Sequence, residues 1–133
     1  MKHNEPVSRI MSTGVVTVHS GEPLSKVRKL MNETGFHHIP VVSGLNLIGL
    51  ISWSDILRLS FSDTVNTGER AVNATLEQVM ARDPITIPED GKIHEAAENL
   101  AQGGFHSLPV VSGRRLVGMI TTTDLIKYLH DQY

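Results

Sequence analysis

The chain has 133 residues, 40% of them apolar, and its twelve basic and fourteen acidic side chains leave a formal charge of −2. A chain of this length buries roughly two thirds of its unfolded surface, and without a run of five like charges it has neither a basic nucleic-acid footprint nor a polybasic membrane patch. With no cysteine, disulfides, thiolate metal sites and thiol nucleophiles are excluded outright. The opening Met1-Lys2-His3-Asn4-Glu5-Pro6 is polar and nowhere do eighteen apolar residues run together, so a soluble cytoplasmic protein is expected.

A short apolar piece (Val7, Ile10, Met11) leads into a β-branched run, Val15 to Val18, that reads as a strand. Leu24, Val27, Leu30 and Met31 then keep the i, i+3, i+4 spacing of a helix over Leu24 to Thr34, and Gly35 stands where that helix must stop. Pro40-Val41-Val42 starts a second strand, Ser43-Gly44 opens a turn, and Leu47 to Ile51 forms a third. A helix from about Trp53 to Leu59 follows, and the polar stretch Phe61 to Ala74 reads as a connection. The same order then returns. Leu76, Val79 and Met80 precede a strand at Ile85-Thr86-Ile87, a helix over Ile93 to Gln102 stops at Gly103-Gly104, and strands from Pro109-Val110-Val111 and over Leu116 to Ile120 lead to a helix from Thr122 to Leu129.

The return is a repeat. Residues 7–59 pair with 76–128 at a fixed offset of 69 without a gap, and 14 of the 53 positions are identical. Twelve of those identities fall between Gly35 and Asp55, so one structural unit is used twice and each copy tests what is inferred for the other. Repeats of this size are marginal alone and are expected to fold together with pseudo-two-fold symmetry, in a mixed α/β (α+β) fold. The expected organisation is a first repeat over 1–60, a linker over 61–74 and a second repeat over 75–133, each a short helix followed by β-α-β-β-α.

Two segments carry candidate chemistry. Gly49-Leu50-Ile51-Ser52-Trp53-Ser54-Asp55 and Gly118-Met119-Ile120-Thr121-Thr122-Thr123-Asp124 each take a strand into a helix, with Ser52 or Thr121 at the N-cap and Asp55 or Asp124 at N3. One reading is a capping box, although such boxes normally use Glu or Gln at N3. The other uses the same helix end for a ligand: free amides and the hydroxyls of Ser52, Ser54, Thr121 and Thr123 coordinate a phosphate, while the carboxylate accepts from two vicinal ribose hydroxyls. The sequence physics leaves both open. Trp53, which faces Thr122 in the other copy, either stacks on a ligand base or anchors an interface.

Gly-Phe-His-x-(Ile/Leu)-Pro-Val-Val followed by Gly-x-Ile-(Ser/Thr)-x-x-Asp, each present twice in register, resembles the cystathionine-β-synthase (CBS) domain pair, the stand-alone Bateman module, over nearly the whole chain. The resemblance implies a regulatory module that senses an adenosine-containing molecule in clefts between its two repeats, the Asp holding ribose and the Ser/Thr positions holding phosphate. One cleft would combine Ser52, Ser54 and Asp55 with the Arg82 to Ile85 segment, Phe105 and His106. The other would combine Thr121, Thr123 and Asp124 with the Thr13 to Val16 segment, Phe36 and His37. Backbone groups there would read the adenine edge, with Val16 and Ile85 packing on its face. His37, His38 and His106 are either core histidines with one hydrogen bond or, as in adenylate-sensing relatives, phosphate contacts.

No cofactor is required on this reading, and the possible ligands are AMP, ADP, ATP or S-adenosylmethionine. Because the Ser-Trp-Ser and Thr-Thr-Thr triplets are neutral, with only Arg82, Arg114 and Arg115 to compensate, AMP or an uncharged adenosine derivative is favoured over a triphosphate. The cleft with Thr121, Thr123 and Asp124, where small side chains leave room, is the favoured one. The helices carry more apolar residues than a small core needs, and relatives pack such helices into a flat homodimer; an effector protein is implied but not identified. No nucleophile elbow, phosphate-binding Gly-rich loop or His-Glu-x-x-His motif occurs, so no catalytic residue is assigned and an enzyme is not expected. Two alternatives stand beside the sensor: an interaction or dimerisation module with vestigial clefts, and a His-based metal-binding module, the latter without the i, i+4 spacing of a preformed site.

Overall fold

The structure, a computed structural model, describes residues 5–58 and 75–133. The expected connection from Phe61 to Ala74, the helix end at Leu59 and the opening residues Met1 to Asn4 lie outside the described residues. The chain divides into two compact units, one spanning Val16–Pro84 and the other joining Met1–Val15 to Ile85–Tyr133. The compact units are therefore not the repeats taken whole. Each is completed by the opening segment of the other repeat.

In the first unit β1 (Val18–His19) lies parallel to β2 (His38–Ser43), which runs antiparallel to β3 (Asn46–Ser52). Helix α1 (Leu24–Thr34) turns Leu24, Val27 and Met31 inward, and helix α2 occupies residues 53–58. Gly35 ends α1 in the left-handed region at φ 75°, its N–H donating to Met31 O, a conformation that glycine adopts without the Cβ penalty. The opening segment of the second repeat closes this unit. Helix α3 (Leu76–Val79) is capped by Thr75 and Gln78, and β4 (Ala81–Arg82) adds to β3. Leu76 and Met80 join a core with Val18, Val27, Ile39, Val41 and Ile51.

The second unit repeats the pattern. Strand β5 (Ile87–Pro88) is parallel to β6 (Ser107–Ser112), which is antiparallel to β7 (Arg115–Thr121), with helices α4 (Ile93–Ala101) and α5 (Thr122–Gln132). Here the opening segment is Glu5 to Ser12. Val7, in a 3₁₀ turn over Val7–Arg9, is fully buried among Ile87, Ile93, Leu108, Val110 and Ile120, and its N–H donates to Gly91 O at 2.8 Å. Ser12 and Met119 exchange two backbone hydrogen bonds, at 2.8 and 3.0 Å. Among the described residues no helix is long and apolar enough to cross a membrane.

Two details follow from this construction. The expected first strands, Val15 to Val18 and Ile85 to Ile87, enter a ladder only at Val18 and Ile87, because the residues before them carry the chain from one unit to the other and have no strand neighbour among the described residues. Pro40 and Pro109, in contrast, sit inside β2 and β6, where proline is ordinarily excluded. The hydrogen bonds Trp53 N to His37 O (2.8 Å) and Thr122 N to His106 O (3.0 Å) make His38–Ser52 and Ser107–Thr121 non-hydrogen-bonded pairs. Two residues on, the prolines occupy the same kind of pair, so their nitrogens face away from β3 and β7 and no ladder bond is lost.

The motif glycines serve the opening segments. A Cβ on Gly118 would stand 2.6 Å from Met11 Sδ and 2.8 Å from Ser12 O; one on Gly49 would stand 2.8 Å from Met80 Cγ and 3.0 Å from Ala81 O. A methyl group there pushes on backbone. Gly118→Ala is therefore expected to lower stability by about 1–3 kcal/mol through overpacking, measured as a shift of the urea midpoint.

The second unit is also tied through Tyr128, whose hydroxyl donates to Glu5 Oε2 at 2.6 Å; that bond raises the phenol above its ordinary value of 10.0. A group whose folded value is raised stabilises the fold below its unfolded value and loses that contribution as pH rises through the folded value. Wild-type protein is expected to lose stability above about pH 10 more steeply than Tyr128→Phe, compared by denaturant midpoints at neutral and alkaline pH.

Candidate functional site

Each unit presents one strand-to-helix corner built from its own residues. In the second, Thr121 caps α5: its Oγ1 accepts from Asp124 N at 3.1 Å, and Asp124 Oδ2 accepts from Thr121 N at 2.8 Å. The corner is pinned to the start of β6, because His106 O accepts from Thr122 N at 3.0 Å and from Thr122 Oγ1 at 3.2 Å. The first three amides of α5 are thus treated unequally. Those of Thr122 and Asp124 are taken by His106 O and Thr121 Oγ1, whereas the Thr123 amide between them has neither kind of partner. The positive end of the helix and that amide favour an anion.

The first unit has the same corner with one change. Asp55 Oδ2 accepts from Ser52 N and Ser52 Oγ, both at 2.9 Å, and Asp55 N donates to Ser52 Oγ at 3.2 Å. Its second oxygen, Oδ1, is held in an ion pair by Arg58. In the other copy the place of Arg58 is taken by Lys127, and among the described residues Asp124 Oδ1 has no partner. The i, i+3 spacing of Asp55 and Arg58 was the available sequence signal for this difference. Both copies therefore form the capping box, and among the described residues Asp124, unlike Asp55, keeps a carboxylate oxygen without a partner.

The remaining expected site residues divide between the units. Thr13 follows Ser12, which is bonded to Met119 on β7 two residues before Thr121; the bridge is antiparallel, so Thr13 belongs to the unit of Thr121, Thr123 and Asp124 but the chain beyond Ser12 runs away from the Thr121 end of β7. Arg82 pairs with Gly49 on β3, in the unit of Ser52, Ser54 and Asp55, and its guanidinium donates to Glu77 O at 3.3 Å. Phe36 and His37 belong to the first unit and Phe105 and His106 to the second, both histidines being exposed. Phe36 is 52% exposed, whereas Phe105 packs against the second core. Val16 is half-buried, and Ile85 is 57% exposed.

Three expectations change. Trp53 is half-buried and packs against the core of its own unit, so it is a core residue there. Arg114 and Arg115 lie at the β6–β7 turn, where Ser112 pairs with Arg115, while Thr121 pairs with Ser107 at the opposite end of the ladder. Six residues of strand, about 20 Å, separate Arg115 from Thr121, and the two arginines do not supplement the phosphate position. Among the described residues no three His, Asp or Glu side chains are grouped to hold a metal ion. Sequence reasoning also missed Ser107, buried opposite Thr121, and the Thr75–Gln78 box, whose Thr-x-x-Gln spacing is a recognisable signature.

A model of the CBS domain matches residues 7–62 and again 76–131. The chain belongs to the CBS-domain family. The uncharacterized protein MJ1225 of Methanocaldococcus jannaschii is 34% identical over 132 residues, which cover 94% of this chain and 47% of that protein, so the chain spans about half the length of this relative. The crystal structure of MJ1225 superimposes with a TM-score of 0.87 at 32% identity, covering 97% of this chain and 49% of the other. The CBS domain pair of protein MJ0100, solved in complex with 5′-methylthioadenosine and S-adenosyl-L-methionine, gives a TM-score of 0.78 at 26% identity over 94% of this chain and 99% of the other. CBSX2 of Arabidopsis thaliana, also solved in complex with AMP, shares the fold with a TM-score of 0.83 at 20% identity, covering 96% and 97% of the two chains.

Proposed function

We propose that this CBS-domain protein is a regulatory ligand-binding module that senses an adenosine-containing molecule, AMP favoured, and is not itself an enzyme. The observation that carries the reading is the unequal use of the two motif carboxylates. Asp124 completes its cap with one oxygen, and among the described residues Oδ1 has no partner, in the helix turn that also holds the Thr123 amide and the exposed Thr123 side chain. A carboxylate oxygen accepts from a ribose hydroxyl, and the amides and hydroxyls of a helix N-terminus donate to phosphate oxygens. The α5 corner is therefore the principal site, and the Asp55 corner, with Oδ1 held by Arg58, is the weaker one. The pair in MJ0100, solved with two adenosyl compounds, supports the ligand class. Such a ligand regulates only through its different affinity for two arrangements of the protein, and the effector that reads the change is a separate partner.

Asp124→Asn separates ligand binding from capping, since the amide oxygen still accepts from Thr121 N while the charge is removed. Isothermal titration of nucleotide-stripped protein with AMP, ADP, ATP and S-adenosylmethionine is expected to show binding by the wild type. A loss of roughly ten- to hundred-fold is expected in Asp124→Asn, the size of a hydrogen bond to a charged group. Silence across the panel refutes the adenosine reading.

A homodimer through helical faces belongs to the same proposal. Leu57 and Ile126, equivalent positions of α2 and α5, are 41% and 61% exposed, and Leu129 beside Ile126 is 45% exposed. Apolar side chains repeated on the same face in both copies favour self-association, and the same face serves the alternative of an interaction module. Sedimentation velocity is expected to show a dimer that Ile126→Asp converts to monomer; an unchanged sedimentation coefficient removes this face from the interface.

A further inference from the structure

Ser107 is the first residue of β6, is only 7% exposed, and its hydroxyl has no hydrogen-bond partner. Buried hydroxyls are ordinarily paired, because leaving one unpaired forfeits its hydration without return. Ser107 stands directly opposite Thr121, the N-cap of α5. The hydrogen bond from Thr122 N to His106 O makes this a non-hydrogen-bonded pair, in which the two side chains lie close together on one face. Thr121 Oγ1 is already occupied by Asp124 N. Ser107 thus lies directly across the ladder from the N-cap residue of the helix whose first turn carries the Thr123 amide and Asp124.

We propose that Ser107 is a further ligand-contact residue of the α5 site, its hydroxyl donating to a phosphoryl oxygen held at the helix N-terminus; this deepens the adenosine-binding reading above and rests on it. The division of labour follows from chemistry. The Asp124 carboxylate accepts and so takes hydroxyl donors of a ribose, while the helix end and a serine O–H donate and so take an anionic oxygen. A serine hydroxyl moves between staggered positions, and a hydrogen bond formed away from water to a charged oxygen is among the stronger ones. One neutral hydroxyl suits a single phosphoryl group rather than a chain of them. The first copy lacks this donor. His38 takes the equivalent place opposite Ser52, is half-buried, and is already engaged by a neighbour. Ser107 and His38 therefore give the two corners different chemistry at one ladder position.

The test is calorimetric titration of nucleotide-stripped wild type, Ser107→Ala and Asp124→Asn with AMP and with adenosine, together with thermal unfolding of each protein free of nucleotide. Ser107→Ala is expected to weaken AMP roughly ten-fold or more and to leave adenosine within about two-fold, whereas Asp124→Asn weakens both. Without nucleotide, Ser107→Ala is expected to unfold at the same or a higher temperature, because it deletes an unpaired buried group. An equal loss for both ligands, no loss for AMP, or a lower unfolding temperature of the nucleotide-free variant overturns the proposal; the last outcome assigns the hydroxyl a structural bond instead. If Asp124→Asn abolishes AMP binding and Ser107→Ala does not, the adenosine reading stands and the role of Ser107 falls. If wild type binds neither AMP nor adenosine, both fall together.

Discussion

The fold turns on a seam in which a short piece of backbone lies against a glycine. Ser12 O comes within 2.8 Å of where a side chain on Gly118 would begin, and Ala81 O within 3.0 Å of the corresponding point on Gly49. A side chain at either glycine would push on the backbone of the opening segment that pairs with β7 or β3. Closing the seam buries Val7 in one core and Leu76 in the other, with both side chains fully excluded from water. It also sets Thr13 and Arg82 beside the strands that run into the capped helices. The glycine that opens each Gly-x-Ile-(Ser/Thr)-x-x-Asp motif is thus a packing residue, and the hydroxyl and carboxylate three and six positions later are the polar ones. A single short motif joins the closure of a core to the construction of a helix N-terminus.

Where local physics acts alone, the residues announced the structure. The i, i+3, i+4 rows of Leu24 to Met31 and of Ile93 to Leu100 became α1 and α4, Gly35 ended its helix in the left-handed region, and both Ser/Thr-x-x-Asp segments formed caps. The fixed offset between the copies made each of these readings a double one. What periodicity does not carry is which copy a segment packs against: Val7 and Leu76 are equally apolar whichever core receives them. For the same reason the ladder starts at Val18 and Ile87, later than the β-branched runs imply, since strand propensity is blind to whether a neighbour exists. The prolines of β2 and β6 would have argued against central strands; only the hydrogen-bonding phase set by His37 O and His106 O shows why they are harmless.

At the candidate site, residue types were readable and their pairings were not. Asp55 and Asp124 occupy equivalent positions and make the same cap, yet one carboxylate is closed by Arg58 and the other is half open. That distinction depends on a single side chain one turn along the helix. Trp53 shows the opposite limit, since a large aromatic at a helix start is compatible with a base, an interface or a core, and here it packs against the core. Ser107 gave no signal of its own. A serine beside a histidine is ordinary until its burial and its lack of a partner are known. The two copies accordingly keep a common backbone and differ in the side chains around one helix end, which is where duplicated sites acquire separate tasks.

The exchange of opening segments bears on how such a chain arises. One repeat by itself owns a strand with an unfilled groove beside its glycine and, separately, an opening segment with nowhere of its own to dock. Two separate copies answer each other's need, because each supplies the piece that the other lacks. Joining the two copies in one chain makes that exchange of segments internal. Fusion frees the copies from having to be identical, and the departures at Arg58, Trp53, His38 and Ser107 are changes that a dimer of identical subunits could acquire only in both halves at once.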